Sequence, residues 1–362
     1  MSLTKLDIAD FRNLSAVKLD PMASGFNFLF GSNGSGKTSL IEAIYYLSRG
    51  RSFRSSVVGH VIHHSAEKFS IFAQTITENQ SAIPIGVERQ RNTEMKVRIA
   101  GENSVSFAEV AQLLPTLLIN SNCYHLLDAG PIFRRKYVDW GAFYLMGDFL
   151  RVWKQYERVL KQRNAALRNR ISKKELHTWS DELVRSATEL HKLREYFIQQ
   201  LLPFLQAMLA ELLVIPGLKM SYQAGWDENS SYEEAIEQSI ERDMGLGYTQ
   251  LGPHRADFKI TINHIPLKDI LSRGQQKLFV CAMIMAQGAL LQQYVNRKPI
   301  YLIDDLSSEL DVVSRSKLIA LLVRQKTQVF LTAVEREMLA DFFVKVPAKM
   351  FHVEHGDVKE MS

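Results

Sequence analysis

The run Gly31-Ser32-Asn33-Gly34-Ser35-Gly36-Lys37-Thr38 constrains this chain more than any other stretch. It follows Phe26-Asn-Phe-Leu-Phe30, which reads as a buried strand, and precedes Leu40, Ile41, Ile44 and Leu47, which recur at helical spacing. A strand, a glycine-rich turn and a helix in that order match GxxxxGK[ST], a loop that wraps phosphate. Its glycines let consecutive backbone N–H groups converge on phosphate oxygens, and the helix opening near Lys37 adds the positive end of its dipole. Lys37 then meets the β and γ phosphates of ATP as a point charge, and the Thr38 hydroxyl is the expected ligand of Mg²⁺.

A second segment supplies the acidic half of such a site. Ile300-Tyr-Leu-Ile303 is an apolar strand that delivers Asp304 and Asp305 at its C-terminal end. Asp304 is placed to hold the magnesium shell, with Thr38, and Asp305 to orient the attacking water, so Lys37, Asp304 and Asp305 are the expected catalytic residues. Upstream, Ser272 is a good N-cap for a helix whose first amides, around Gly274 and Gln275, face an anion.

The rest of the chain organises around these segments. Leu6/Ile8, a turn near Arg12-Asn13, and Val17/Leu19 read as strands, and alternation returns from residue 69 to 99 as a β-rich meander. Residues 133–213 repeat apolar positions at three- and four-residue steps, which predicts an inserted helical lobe whose last helix Pro203 kinks or divides. Residues 257–270 read as a hairpin turning at Asn263-His264, and 313–324 as a helix between two buried parallel strands. The fold expected is α/β: a two-lobed P-loop head with lobe I formed by residues 1–115 and 291–362, and a mainly helical lobe II spanning 116–290.

Hydrophobic residues at 46% and charged residues at 23% are those of an ordinary globular protein. No uninterrupted apolar run approaches the roughly 20 residues that span a bilayer. With no secretory pattern at the start, a cytoplasmic location is expected. The two cysteines, Cys123 and Cys281, are distant in sequence and read as reduced, buried thiols, and neither His63-His64 nor His352-x-x-His355 has the company a metal site needs. The net charge of +5 is modest, but its distribution is uneven. Between Arg134 and Lys174 a series including Arg135, Lys136, Arg151, Lys154, Arg158, Lys161, Arg163, Arg168 and Arg170 far outnumbers the acids. Such a stripe suits a polyanion or, equally, a solvated helix face.

Leu271-Ser272-Arg273-Gly274-Gln275-Gln276-Lys277 resembles the signature motif of ABC-type ATPases, and Ser308-Glu-Leu-Asp311 resembles their D-loop. The resemblance implies that Ser272, Gly274 and Gln275 touch the γ-phosphate of a nucleotide held by a second copy, in an ATP-dependent homodimer. Transporter subunits have a shorter stretch between the two motifs, whereas here Lys37 and Arg273 are separated by more than half the chain.

Further segments, in order, resemble the RecF family, relatives of the SMC heads: Asp10-Phe-Arg-Asn13, Gly50-Arg-Ser-Phe-Arg54, Gly130-Pro131 with Arg134-Arg135, Lys161-Gln-Arg-Asn-Ala165 and Gly252-Pro-His-Arg255. The resemblance covers nearly the whole chain. It implies an ATP-dependent DNA-binding protein of recombinational repair and replication restart. Such a protein acts on single- and double-stranded DNA at gapped junctions with RecR and RecO to help load the recombinase, with slow, DNA-stimulated ATP hydrolysis. Arg51, Arg54, Arg134, Arg135 and Arg255 become candidates for DNA or phosphate contact. Two places depart from the pattern. Asn120-Ser-Asn-Cys-Tyr124 replaces a customary Pro-acidic pair, so no sensing role is assigned there, and Val329-Phe-Leu-Thr332 ends in Thr332 where transporters have a switch histidine.

Overall fold

The computed structural model describes residues 1–77, 81–104, 106–305, 310–335 and 346–361. It divides into two compact units, Met1–Cys123 with Leu291–Ser362, and Tyr124–Leu290.

The first unit contains two six-stranded sheets. One is antiparallel, in the order β2-β1-β4-β5-β6-β7, built from β1 (Ser2–Phe11), β2 (Leu14–Leu19), β4 (Lys68–Ile76), β5 (Ala82–Gln90), β6 (Lys96–Ile99) and β7 (Glu102–Asn103). Simple alternation would put Leu3 and Leu6 on opposite faces, yet both are buried, because a register shift between Leu3 and Lys5 inserts a residue. The second sheet has the order β15-β14-β3-β13-β12-β8, from β3 (Gly25–Phe30), β8 (Thr116–Ile119), β12 (Ile300–Ile303), β13 (Gln328–Ala333), β14 (Ala348–Glu354) and β15 (Asp357–Met361). Its strands pair in parallel except for β15, which folds back on β14. β12 and β13 are buried at every position, and so read in sequence as continuous rather than alternating strands. Helix α1 (Lys37–Arg49) buries Leu40, Ile41, Ile44 and Leu47 in the core shared with Leu6, Ile8, Phe69, Leu302 and Phe330. Helix α2 (Phe107–Leu113) belongs to this unit as well.

The unit boundary lies after Cys123 rather than after residue 115, because β8 pairs with β12 and so belongs to the first unit's sheet. A four-residue strand between two loops is too short to mark its own sheet in sequence.

The second unit is mainly helical: α3 (His125–Asp128), α4 (Pro131–Leu145), α5 (Phe149–Arg168), α6 (Lys173–Leu212) and α7 (Tyr232–Leu246), with α8 (Leu267–Ile270) and most of α9 (Arg273–Val295). Reciprocal caps, Ser172 with Glu175 and Ser231 with Glu234, open α6 and α7. Gly141 lets α4 lie close to α6, since a Cβ there would come within 2.1 Å of the Phe197 ring. Helix α6 runs through Pro203 undivided, so that proline removes one backbone bond without ending the helix. A small sheet, β11 (Ile265–Pro266), β10 (Asp257–Ile262) and β9 (Leu218–Gln223), contains the expected turn, with Asn263 and His264 both at positive φ. In the first unit, α10 (Val312–Gln325) matches the helix expected before β13.

Inside the second unit Arg163 is fully buried, donating to Asp243 at 2.8 Å and to the Thr249 hydroxyl at 2.6 Å. The Tyr156 hydroxyl lies 2.6 Å from Nδ1 of His254, and Nε2 of that ring donates to the Thr249 carbonyl at 3.1 Å. Burial lowers the His254 pKa to about 4, so the ring is neutral near pH 7. Cys281 is buried and Cys123 is partly exposed. Helix α9, although Gln287 and the flanking glutamines and Lys277 interrupt its apolar run, is by length and mean hydropathy, 1.5, apolar enough to cross a membrane. Yet 72% of its most apolar window is buried inside the protein, as in a core helix.

Candidate nucleotide site

The phosphate loop joins the end of β3 to the start of α1, where Gly36 enters the helix at φ 124. Gly31 cannot be replaced without moving the backbone, since a Cβ there would lie 2.1 Å from the Val353 carbonyl oxygen. The Lys37 side chain folds over the loop, donating to the carbonyls of Gly31 at 2.6 Å and Ser32 at 2.8 Å. Burial lowers its pKa, while Asp304 and Asp305 oppose that shift.

The acidic pair arrives at the end of β12. Because β12 and β13 run in parallel with Ile303 opposite Leu331, Thr332 falls beside the residues that follow β12. Its hydroxyl donates to Asp304 Oδ1 at 2.9 Å and accepts the backbone N–H of Asp305 at 2.8 Å. Thr38 Oγ1 is 3.0 and 3.1 Å from the two Asp304 carboxylate oxygens. Asp305 takes a left-handed backbone, φ 53, uncommon outside glycine, and the Thr332 bond helps hold it there. Burial raises the Asp304 pKa, and the hydrogen bonds from Thr332 and Thr38 act against it.

Lys37, Thr38, Asp304, Asp305 and Thr332 line one cavity of about 880 Å³, which continues past Arg12, Arg54, His60, His63, His64 and Arg91. One wall is organised by Glu42 of α1, a fully buried carboxylate. Arg12 grips it with two bonds, 2.7 and 3.0 Å, and also donates to the His60 carbonyl, while Ser52 donates to the same carboxylate. Arg54 reaches it only at 3.4 Å and stays 46% exposed. Sequence reasoning missed Glu42; its acid on the otherwise apolar side of the phosphate-loop helix was the available signal. A donor set of one hydroxyl and one carboxylate, beside room for phosphate oxygens, fits Mg²⁺, which keeps few protein ligands.

Of the other expected site residues, Asn33, Gly34 and Gly36 line the same cavity. Ser272, Gly274 and Gln275 belong to the second unit, at the start of α9, where Ser272 Oγ accepts from the Gln275 N–H at 3.3 Å and Gln275 Oε1 accepts from the Ser272 N–H at 2.9 Å. A side chain at Gly274 would meet open space. Ser308 and Glu309 of the expected D-loop lie outside the described residues, whereas Asp311 caps α10 through Ser314.

Arg51 is exposed, as a nucleic-acid contact requires. Arg134 does not fit that expectation. Its guanidinium is bound to Asp257 at 2.6 and 2.9 Å and to the carbonyls of Leu126 and Ala129, which leaves an ion-pair residue facing its own unit. Arg135 is partly buried and donates to the Ala256 carbonyl at 2.8 Å, and Arg163 leaves the basic stripe for the interior. Sequence position alone cannot separate these from solvent-facing arginines, because the groups that hold them, Asp257, Asp243 and the Ala256 carbonyl, are distant in the chain.

Comparison with known proteins agrees with this architecture. Residues 2–359 match the family model described as RecF/RecN/SMC N terminal domain. The DNA replication and repair protein RecF of Cellvibrio japonicus (strain Ueda107) is 43% identical over 99% of this chain and 99% of its own length. That of Vibrio atlanticus (strain LGP32) is 41% identical over 99% of this chain and 100% of its own length. A solved structure of the recombination mediator protein RecF with ATP, from the RecFOR pathway, superposes with a TM-score of 0.88 at 25% identity, covering 100% of this chain and 98% of that one. An SMC head bound to the C-winged helix domain of ScpA shares the fold at a TM-score of 0.61 and 14% identity, covering 100% of this chain and 97% of that one. With its phosphate loop, its acidic pair and relatives aligned along almost its full length, the chain belongs to the RecF family, within the wider group of RecF, RecN and SMC heads.

Proposed function

We propose that this chain is an ATP-dependent DNA-binding protein of recombinational repair and replication restart. It works at single-strand gaps with RecR and RecO to help load the recombinase, and a slow, DNA-stimulated ATPase resets it. The observation that supports this best is the convergence of Lys37, Thr38, Asp304, Asp305 and Thr332 on one cavity, in a member of this family.

In this reading Lys37 exchanges the carbonyls of Gly31 and Ser32 for the β and γ phosphates, and the amides of the loop from Gly31 to Gly36 take the remaining oxygens. Thr38 and Asp304 would hold Mg²⁺, which when bound neutralises charge between the phosphates. Asp305 orients the attacking water, and Thr332 fixes both carboxylate-bearing residues. Ser272, Gly274 and Gln275 offer the start of α9 to the γ-phosphate held by a second copy, so that ATP joins two subunits. Arg51, with the exposed part of the basic stripe, meets the DNA backbone.

Sedimentation with and without ATP and gapped DNA tests the proposal. The wild-type protein is expected to dimerise with ATP and then to travel with the DNA. Lys37→Ala should lose both, having lost the charge that meets the phosphates. ATP-independent DNA binding, or hydrolysis indifferent to DNA, would count against the mediator role.

A further inference from the structure

The phosphate loop is held from two sides by residues outside its own motif. On one side stands Asn13, in the turn between β1 and β2. Its Nδ2 donates to the Gly34 carbonyl at 3.2 Å, and its Oδ1 accepts from the Ser39 hydroxyl at 2.7 Å. On the other side is the two-residue turn of the β14–β15 hairpin, where Glu354 pairs with Asp357 across His355 at φ 48 and Gly356 at φ 86. The Gly356 N–H donates to the Ser35 carbonyl at 2.8 Å.

Contact between these pieces is close. A Cβ on Gly356 would lie 2.2 Å from the Asn13 carbonyl oxygen, and one on Gly36 would lie 3.5 Å from the Gly356 Cα. The same hairpin brings the Val353 carbonyl against Gly31. Gly31, Gly34, Ser35, Gly36 and Ser39 therefore each touch one of two segments that are remote in sequence.

We infer that Asn13 and the C-terminal hairpin turn at Gly356 are positioning elements that hold the phosphate loop in its receiving shape before nucleotide arrives. This rests on the nucleotide site proposed above. A loop already ordered loses less conformational freedom on binding, so the grip contributes affinity for any nucleotide that carries the phosphates. Both elements bear on the loop that takes the phosphates, at Gly34, Ser35 and Ser39, so the effect falls on affinity more than on turnover at saturation. It also ties the last strands of the chain to nucleotide binding.

The test uses the full-length protein and titration with a fluorescent ATP analogue and its ADP counterpart, alongside thermal melts without nucleotide. Asn13→Ala and Gly356→Ala are each expected to raise Kd about tenfold for both nucleotides, a change of about 1.4 kcal/mol. Turnover at saturating ATP should fall far less than affinity, and Lys359→Ala, an exposed change elsewhere on the hairpin, should bind like the parent. Lys37→Ala serves as reference: parental binding in that variant would overturn the site itself, whereas parental binding in Asn13→Ala and Gly356→Ala, with Lys37→Ala defective, would overturn only the positioning role. A rise in Kd that vanishes when variants are compared equally far below their melting temperatures would also overturn it. Should Gly356→Ala fail to fold, Asn13→Ala decides the matter alone, since it removes one side chain and strains no backbone.

Discussion

Thr332 serves two neighbours with one hydroxyl, its proton going to Asp304 and its lone pair to the Asp305 amide. Thr332→Val keeps the branched shape and removes both bonds. Single-turnover hydrolysis is expected to slow about 10–100-fold, the usual cost of losing a supporting bond behind a metal ligand. ATP affinity should change little, and Thr332→Ser should retain activity. The Asp304 pKa, already raised by burial, rises further once the Thr332 bond that lowers it is gone. The acid limb of the rate profile should therefore move to higher pH in the valine variant. Parental rate and an unmoved limb would remove Thr332 from the site. Its position could be read from the sequence, at the end of an apolar strand, but not its partners, which depend on the register of β12 against β13.

Helix α5 shows how one element can be read two ways. Its apolar positions Val152, Tyr156, Val159 and Leu160 are buried as their spacing predicts, yet Arg163, which continues the basic series, is buried with them on Asp243. Exposed members of the series are partly matched too: Arg151 meets Asp148 and Glu189, and Arg158 meets Glu182. Solvent-exposed pairs of this kind contribute little stability, so they can open for a polyanion at small cost. The contact of α5 with His254 has a pH consequence. The folded ring protonates near pH 4, and the unfolded one near its ordinary value of about 6.5, so on acidification the unfolded chain takes up the proton first. The stability it contributes is complete above about pH 6.5 and declines from there toward about pH 4, by at most roughly 1.4 kcal/mol per pH unit. Denaturant midpoints measured at neutral pH and again near pH 4.5 should differ more for the wild type than for His254→Gln. Equal differences would mean that His254 does not set the slope.

For the whole molecule, the expected ATP-bridged pair makes a prediction that no single copy can. Ser272→Arg places a bulky cation where α9 is to meet the partner's nucleotide, so one copy should still bind ATP while dimerisation and hydrolysis disappear together. Lys37→Ala fails for the complementary reason. Mixed, the two variants rebuild one composite site with an intact phosphate loop and an intact signature, and sedimentation with ATP should recover a heterodimer. ATPase activity from Ser272→Arg in a strictly monomeric sample would sink the shared-site arrangement.

The order of segments along the chain determined by itself a glycine-rich turn before α1, an apolar strand ending in two carboxylates and a capped start to α9, because each depends on local chemistry. It likewise determined the helical insertion and most strands, through spacing that only one period satisfies. Tertiary structure decided the rest. It put β8 in the first unit's sheet, turned Arg134 and Arg163 inward onto Asp257 and Asp243, joined Arg12 to the buried Glu42, and set Asn13 and Gly356 against the phosphate loop. Each of these pairs residues far apart in the chain. A side chain's charge or hydrogen-bonding capacity is legible in sequence, but the partner that consumes it is chosen only when the sheets and helices bring distant segments within about 3 Å.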